Sequence, residues 1–268
     1  MTDQNIYFDV NKQLWNNKTA VHMKSAFYDL AAFKAGKTSL NEIELEELGD
    51  VSGKKLLHLQ CHFGMDTISW AKRGAETTGL DFSDKAIDAA KELAVEMGVN
   101  SQFVCSNVYD AGQHLSEKFD IVFTSYGTIG WLPDLNRWAA VIAERLKPGG
   151  VFYMVDFHPV VWMFDDTFSY FKYSYFNTGL PIEEENSGTY ADRDADLRDK
   201  EYGWNHSLSD ILNALIKAGL NIRLFNEHAT SPYECFSNMV QTGPSSYQIA
   251  KMEDKLPMLY SIKAVYEK

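Results

Sequence analysis

The sequence predicts an α/β fold, a largely parallel sheet covered by helices on both faces. Two observations predict it. Short apolar runs alternate with helical segments from residue 54 to residue 157, and the same rhythm returns after residue 206. The helical segments repeat their apolar residues every three or four positions, as Ala86, Ile87, Ala90, Leu93, Ala94 and Met97 do.

Taken in order, residues 1–50 read as helical, with Trp15, Val21, Phe27, Tyr28 and Leu30 at broadly helical spacing. Ser39 followed by Glu42 has the capping-box pattern, and Gly49 can stop that helix. "KLLHLQ" is a buried strand, "DTISWAKRG" a helix and "ETTGLD" a second strand. "SDKAIDAAKELAVEMG" is a helix capped by Ser83. "SQFVCS" and "FDIVFTS" are the third and fourth strands. Pro133 suits the first turn of the next helix, and Pro148-Gly149-Gly150 turns the chain into "VFYMVDF", the fifth strand. Eight aromatics then fall between Trp162 and Phe176, and "FSYFKYSYF" suggests a strand or hairpin. Ser207 and Asp210 cap a helix, "NIRLFNEH" is a sixth strand, and "MLYSIKAVYEK" is a last strand expected at the sheet edge. The chain divides into a helical cap (1–50), a ligand-binding core (51–157), an inserted aromatic-rich lid (158–205) and a segment completing the sheet (206–268).

Composition narrows the function. The 268 residues carry a net charge of −12 with no basic cluster, so nucleic acid is not an expected partner. No run approaches the roughly 20 apolar residues of a membrane span, and the N-terminus lacks a signal-peptide pattern. A cytoplasmic protein is the expectation. Cysteines 61, 105 and 235 have neither disulfide nor zinc spacing and read as reduced, buried thiols; no metal site is expected.

In open parallel sheets the ligand lies beyond the carboxyl ends of the strands. The turn after the first strand, "QCHFG", occupies that place, and Asp81 ends the second strand about twenty residues on, where a carboxylate can accept from a ribose diol. Phe82 can cover an adenine. A dinucleotide needs G-x-G-x-x-G so that its pyrophosphate reaches the backbone. Only Gly64 is present, and His62 and Phe63 fill the space. A nucleoside without phosphate needs less clearance.

"LLHLQCHFGMDTISWAKRGAETTGLDFSDKAIDAA", "FDIVFTSYGTIGWLPDL" and "RLKPGG" resemble the class I S-adenosylmethionine-dependent methyltransferases, within them a bacterial small-molecule subgroup whose first motif reads HLQCHFG. The resemblance implies a Rossmann-like, doubly wound, mostly parallel seven-stranded sheet with an antiparallel last strand. It implies S-adenosylmethionine as cofactor and a small-molecule methyl acceptor. Gln60, Cys61, His62 and Gly64 would form the loop under the methionine and ribose. Asp81 would hold the ribose, Phe82 and Asn107 the adenine, Asn107 accepting through its carbonyl, and the Val108 N–H a ring nitrogen. Ser125 and Tyr126 would line the methyl-donor side. A neutral Gln60 leaves the methionine amino group to a backbone carbonyl or another acid.

Trp15, Tyr28, Trp131 and His206 are candidates for the acceptor pocket and its lid. His158, at the end of the fifth strand, is the candidate general base. Two other readings share these features: a non-catalytic binder of the cofactor or its demethylated product, and a nicotinamide-dependent oxidoreductase, which the missing glycines disfavour.

Overall fold

The computed structural model of the protein describes residues 3–267. The N-terminal region holds α1 (Asp3–His22), α2 (Leu30–Lys34) and α3 (Glu42–Leu48). The core follows as β1 (Lys55–Leu59), α4 (Met65–Lys72), β2 (Glu76–Asp81), α5 (Asp84–Glu96), β3 (Gln102–Cys105), α6 (Ala111–His114), β4 (Phe119–Ser125), α7 (Leu135–Arg145) and β5 (Leu146–Phe157). Beyond it come the hairpin β6 (Ile182–Ser187) and β7 (Arg198–Gly203), then α8 (Leu208–Lys217), β8 (Leu220–His228), the hairpin β9 (Met239–Gly243) and β10 (Ser246–Ile249), and β11 (Leu259–Tyr266).

Seven strands form one sheet in the order β3-β2-β1-β4-β5-β11-β8. The first five run parallel, and β11 is antiparallel to both β5 and β8. This is the Rossmann-like sheet expected. Strand order reverses between β1 and β4, which opens a crevice at their carboxyl ends. Trp138, Ile142, Phe152 and Leu215 fill one face of the sheet, and Trp70, Phe123 and Tyr153 belong to the core on the other. Apolar residues there leave water on both sides, which is the main driving force for the layered architecture.

Five local expectations are corrected. The last strand is not an edge: Leu259 to Ile262 are all buried between β5 and β8, and β8, with its exposed positions, forms the edge. Ser and Lys in β11 mimic the alternation of an edge. Helix α3 begins at Glu42, with Asn41 as cap and Glu44 reaching back to the Asn41 N–H at 2.6 Å, while Ser39 bonds to Ser69 instead. Asp134 caps α7, accepting from the N–H groups of Asn136 and Arg137, so Pro133 lies outside the helix. Residues 168–176 form no strand. The Asp165 carboxylate gathers the N–H groups of Ser169 and Tyr170 into a loop, and the hairpin of this region falls later, at β6 and β7. Of the three thiols only Cys61 is buried; Cys105 is exposed and Cys235 half-buried.

Residues 229–258 leave the sheet between β8 and β11 and line the crevice together with residues of the 158–205 segment.

Candidate functional site

A cavity of about 1350 Å³ opens at the carboxyl ends of β1, β2 and β4. Single-ligand pockets span roughly 300–1,000 Å³, so there is room for two molecules side by side. Every residue predicted for the site lines it except His158.

The turn after β1 explains how a glycine-poor loop can serve. Gln60, His62 and Gly64 all have positive φ, at 58°, 50° and 78°. The backbone therefore takes the left-handed conformation at alternate positions, as a glycine-rich loop would. Two of the three sites carry side chains that disfavour it, at about 1 kcal/mol or more each. The surroundings over-determine the loop. The Cys61 N–H donates to the Leu80 carbonyl at 3.0 Å, the His62 N–H to Asp81 Oδ2 at 2.9 Å, and Gln60 Nε2 to the Thr128 carbonyl at 2.8 Å. Gly64 has a packing reason as well: a Cβ there would stand 2.7 Å from the Phe103 ring and 2.9 Å from Ala90 Cβ.

Asp81 joins this loop to the end of β2. Its Oδ2 accepts from His62 and its Oδ1 from the Ser83 N–H, both at 2.9 Å, which leaves lone pairs on both oxygens for a ligand. Burial pushes its carboxyl up to about 6 despite those bonds. Phe82 and the buried Val108 wall the same end. Asn107 spends one lone pair of its side-chain carbonyl on the Tyr109 N–H at 3.1 Å, which leaves a second lone pair and its amide NH₂ for a ligand.

The opposite wall is built on β4. Ser125 Oγ donates to Asp66 Oδ2 at 2.9 Å, and burial raises the Asp66 carboxyl above its ordinary value. The loop that follows turns on Tyr126, with φ 39°, and is pinned by Asp156. That buried carboxylate accepts from the N–H groups of Gly127, Thr128 and Ile129 and from the Thr128 hydroxyl. The same loop supplies the carbonyl that holds Gln60 and the carbonyl of Gly127, which accepts from Trp131 Nε1.

Helix α1 roofs the cavity. Trp15 packs edge-on against Trp131 and His62, with ring centroids 5.4 and 5.1 Å apart. Lys18 lies 5.3 Å from both tryptophan rings and 3.2 Å from Glu201. The Asn11 side chain exchanges two hydrogen bonds with the Tyr202 backbone on β7, and on the other flank Asn16 accepts from Ser83 Oγ. His22 Nδ1 and His62 Nε2 are 2.9 Å apart, and burial pushes both imidazoles down, His22 to about 3, so both are neutral. Gln60 Oε1 and His62 Nδ1 are buried with no internal partner.

Both candidate histidines at the rim are occupied elsewhere. His158 Nδ1 accepts from the Val160 N–H, and its Nε2 lies 2.9 Å from Glu227 on the edge strand, outside the cavity. This removes it as the base. His206 donates from Nε2 to the Leu132 carbonyl at 2.7 Å and meets the Asn177 amide at Nδ1. It is a structural group on the cavity wall. Sequence reasoning missed Asp66, Asp156, Tyr190 and Tyr233. Asp66 and Asp156 flank motifs that were read, in "FGMD" and "VDFH". No local pattern marks the two tyrosines. Among the described residues, no cluster of three or more His, Cys, Asp or Glu side chains forms a metal site, and no helix is long and apolar enough to cross a membrane.

Residues 57–152 match the family described as a methyltransferase domain. A ubiquinone biosynthesis O-methyltransferase of Saccharophagus degradans is 30% identical over 122 residues, 45% of this chain and 51% of the relative. An uncharacterized methyltransferase of Synechocystis is 33% identical over 132 residues, 48% and 59% of the two chains. The chain thus spans about half the length of these curated relatives. Among solved structures, an S-adenosylmethionine-dependent methyltransferase from Clostridium acetobutylicum superposes with a TM-score of 0.57 at 15% identity, covering 85% of this chain and 89% of that one.

Proposed function

We propose that this protein is an S-adenosylmethionine-dependent methyltransferase acting on a small organic acceptor, in the subgroup marked by the HLQCHFG motif. The observation that carries the reading is Asp81, braced by two backbone N–H groups at the switch point of the sheet and open toward a cavity with room for two ligands.

The residues present fit the cofactor. Asp81 holds the ribose diol. Phe82, the Asn107 amide and Val108 surround the adenine, with Asn107 donating to a ring nitrogen. Gln60, Cys61, His62 and Gly64 run under the methionine end. There the unpartnered Gln60 Oε1 can accept from the amino group and the unpartnered His62 Nδ1 can donate to the carboxylate. The bound cofactor supplies an electrophilic methyl on a sulfonium, a good leaving group. The protein's share is to orient the acceptor in line with that methyl and to exclude water. Ser125 and Tyr126 border the reacting end, and Trp15, Tyr28 and Trp131 close the roof. No base at His158 enters this scheme. The acidic surface fits a small-molecule acceptor in the cytoplasm better than a nucleic acid.

Calorimetric titration with S-adenosylmethionine and S-adenosylhomocysteine tests the reading. Wild type is expected to bind both, and Asp81→Ala to bind at least about tenfold more weakly, the loss of hydrogen bonds to a charged acceptor. Absence of binding to the intact protein would end the proposal. A tritiated-methyl assay across a metabolite library then separates an enzyme from a non-catalytic binder.

A further inference from the structure

The half of the cavity away from Asp81 is an aromatic box. Phe27 lies 5.5 Å from Tyr190 and 5.2 Å from Tyr233, ring centroid to centroid. Tyr233 lies 5.5 Å from Tyr126, which in turn is 6.3 Å from Phe157. Tyr28 closes the box through a hydroxyl–hydroxyl bond to Tyr190. All six rings line the cavity, and they come from five separated stretches of chain. Tyr28, Tyr190 and Tyr233 lie outside the segment that matches the methyltransferase domain, so that match says nothing of what this half binds.

One carboxylate faces into the box. Asp66 lines the cavity beside Ser125, and among the described residues no Lys, Arg or His nitrogen lies within ion-pair distance of it. Asp66 is held by Ser125, whose chain neighbour Tyr126 is one of the six rings. The other buried acids of this region are engaged, Asp156 by its loop and Glu44 by Asn41 and Tyr126; Asp165 is held by its own turn and Glu184 by Lys172 and Tyr173, and Asp166 is exposed at the rim. Among the cations of the wall, Lys18 is paired with Glu201, while Arg193, bonded to the Ser237 hydroxyl, and Lys37 are exposed at the rim.

A carboxylate without an ion-pair partner that shares a cavity with six aromatic rings is complementary to an organic cation. The ring faces attract positive charge, the more so out of water, and the carboxylate supplies the counter-charge. An anionic acceptor would meet the Asp66 charge, with the cations Arg193 and Lys37 standing only at the exposed rim. We infer that the acceptor is a small molecule bearing a protonated amine on an apolar body, its ammonium held between Asp66 and the Tyr28–Tyr190–Tyr233 wall. This rests on the methyltransferase reading and extends it to the class of substrate.

The test uses the full-length protein saturated with S-adenosylhomocysteine, titrated calorimetrically with size-matched pairs: tyramine against 4-hydroxyphenylacetate, and tryptamine against indole-3-acetate. Tetramethylammonium serves as the minimal cation. The amines are expected to bind at least about tenfold more tightly than the acids. Asp66→Asn should erase that preference. Tyr233→Phe should keep it, because the ring and not the hydroxyl attracts the cation, and Tyr233→Leu should weaken amine binding. Should Asp66→Asn fail to fold, the two Tyr233 variants still decide. Acids binding as tightly as amines, or neither binding to a protein that does bind S-adenosylhomocysteine, overturns the inference and leaves the methyltransferase reading standing. Asp66→Asn lowering S-adenosylhomocysteine affinity while sparing the amine preference also overturns it, because Asp66 would then serve the cofactor's own amino group. No binding of S-adenosylhomocysteine to wild type removes both.

Discussion

Glu44 is a carboxylate in a place that resists charge. It is fully buried at the third position of α3, accepts from the Asn41 N–H at Oε1, and accepts from the Tyr126 hydroxyl at Oε2, 2.8 Å away. Burial pushes its carboxyl from an ordinary 4.5 up to about 7. The native state then keeps a proton up to pH 7 that the unfolded chain releases near 4.5. Between those values the native state binds more protons, so stability falls as pH rises through the window and levels off above it. The wild-type protein should therefore lose about 2.5 kcal/mol from this group between pH 5 and pH 8. Glu44→Gln keeps the shape and the acceptor for Asn41 but cannot ionise. Urea unfolding of both proteins at the two pH values isolates the effect, because Asp81 and Asp156, whose carboxyls are also raised by burial, are common to both and cancel in the difference. The variant should gain about 2.5 kcal/mol relative to wild type on going from pH 5 to pH 8. A difference that changes by less than about 0.5 kcal/mol would mean that Glu44 ionises normally in the folded protein, and would refute the packing of α3 against Tyr126 described above.

Three further outcomes follow from the site. Gly64→Ala places a methyl against Phe103 at a φ of 78° and should cost about 2–4 kcal/mol in chemical denaturation. The affinity for S-adenosylhomocysteine should fall as pH drops through about 6, where Asp81 takes up a proton and loses acceptor capacity; calorimetry from pH 5 to 8 checks this, and Asp81→Asn should flatten the profile. Asp156→Ala strands the N–H groups of Gly127, Thr128 and Ile129, and should cost about 3 kcal/mol or more and weaken nucleoside binding through the Gln60–Thr128 contact, seen by thermal unfolding and titration.

The end of the cavity proposed for the cofactor is legible because its determinants are local. Gln60, Asp81, Asn107 and Ser125 each end or closely follow a strand whose apolar run can be read directly, and a parallel sheet brings such ends together without further information. The end proposed for the acceptor is not legible in this way. Tyr190 and Tyr233 lie on irregular backbone, and their meeting with Phe27 depends on how two excursions of the chain fold over the crevice. His158 misled for a related reason. Its strand end does face the crevice, but neighbouring strands set the direction of the side chain, and the edge carboxylate of Glu227 draws the imidazole outward. The aromatic run at 168–176 misled because β propensity requires a partner strand, and Asp165 offers the backbone a turn instead.

The loop at 60–64 carries the more general point. A glycine-rich composition is one way to make such a loop, but what a ligand there requires is a backbone shape. Gln60 and His62 hold that shape against their own preference because Asp81 and the Leu80 and Thr128 carbonyls bind the loop from β2 and from the turn after β4. The strain and its restraint are therefore one device, and the side chains that glycine would lack become contacts. Gln60 Oε1 and His62 Nδ1 each bring an unpartnered atom into the site that a glycine loop could not supply. It follows that replacing both residues by glycine would relax the backbone while removing those two groups, so the doubly substituted protein should gain stability or hold it while binding S-adenosylhomocysteine more weakly. Unfolding and titration measured on the same sample test the two halves of that statement independently. An unchanged affinity would show that the backbone alone forms the site.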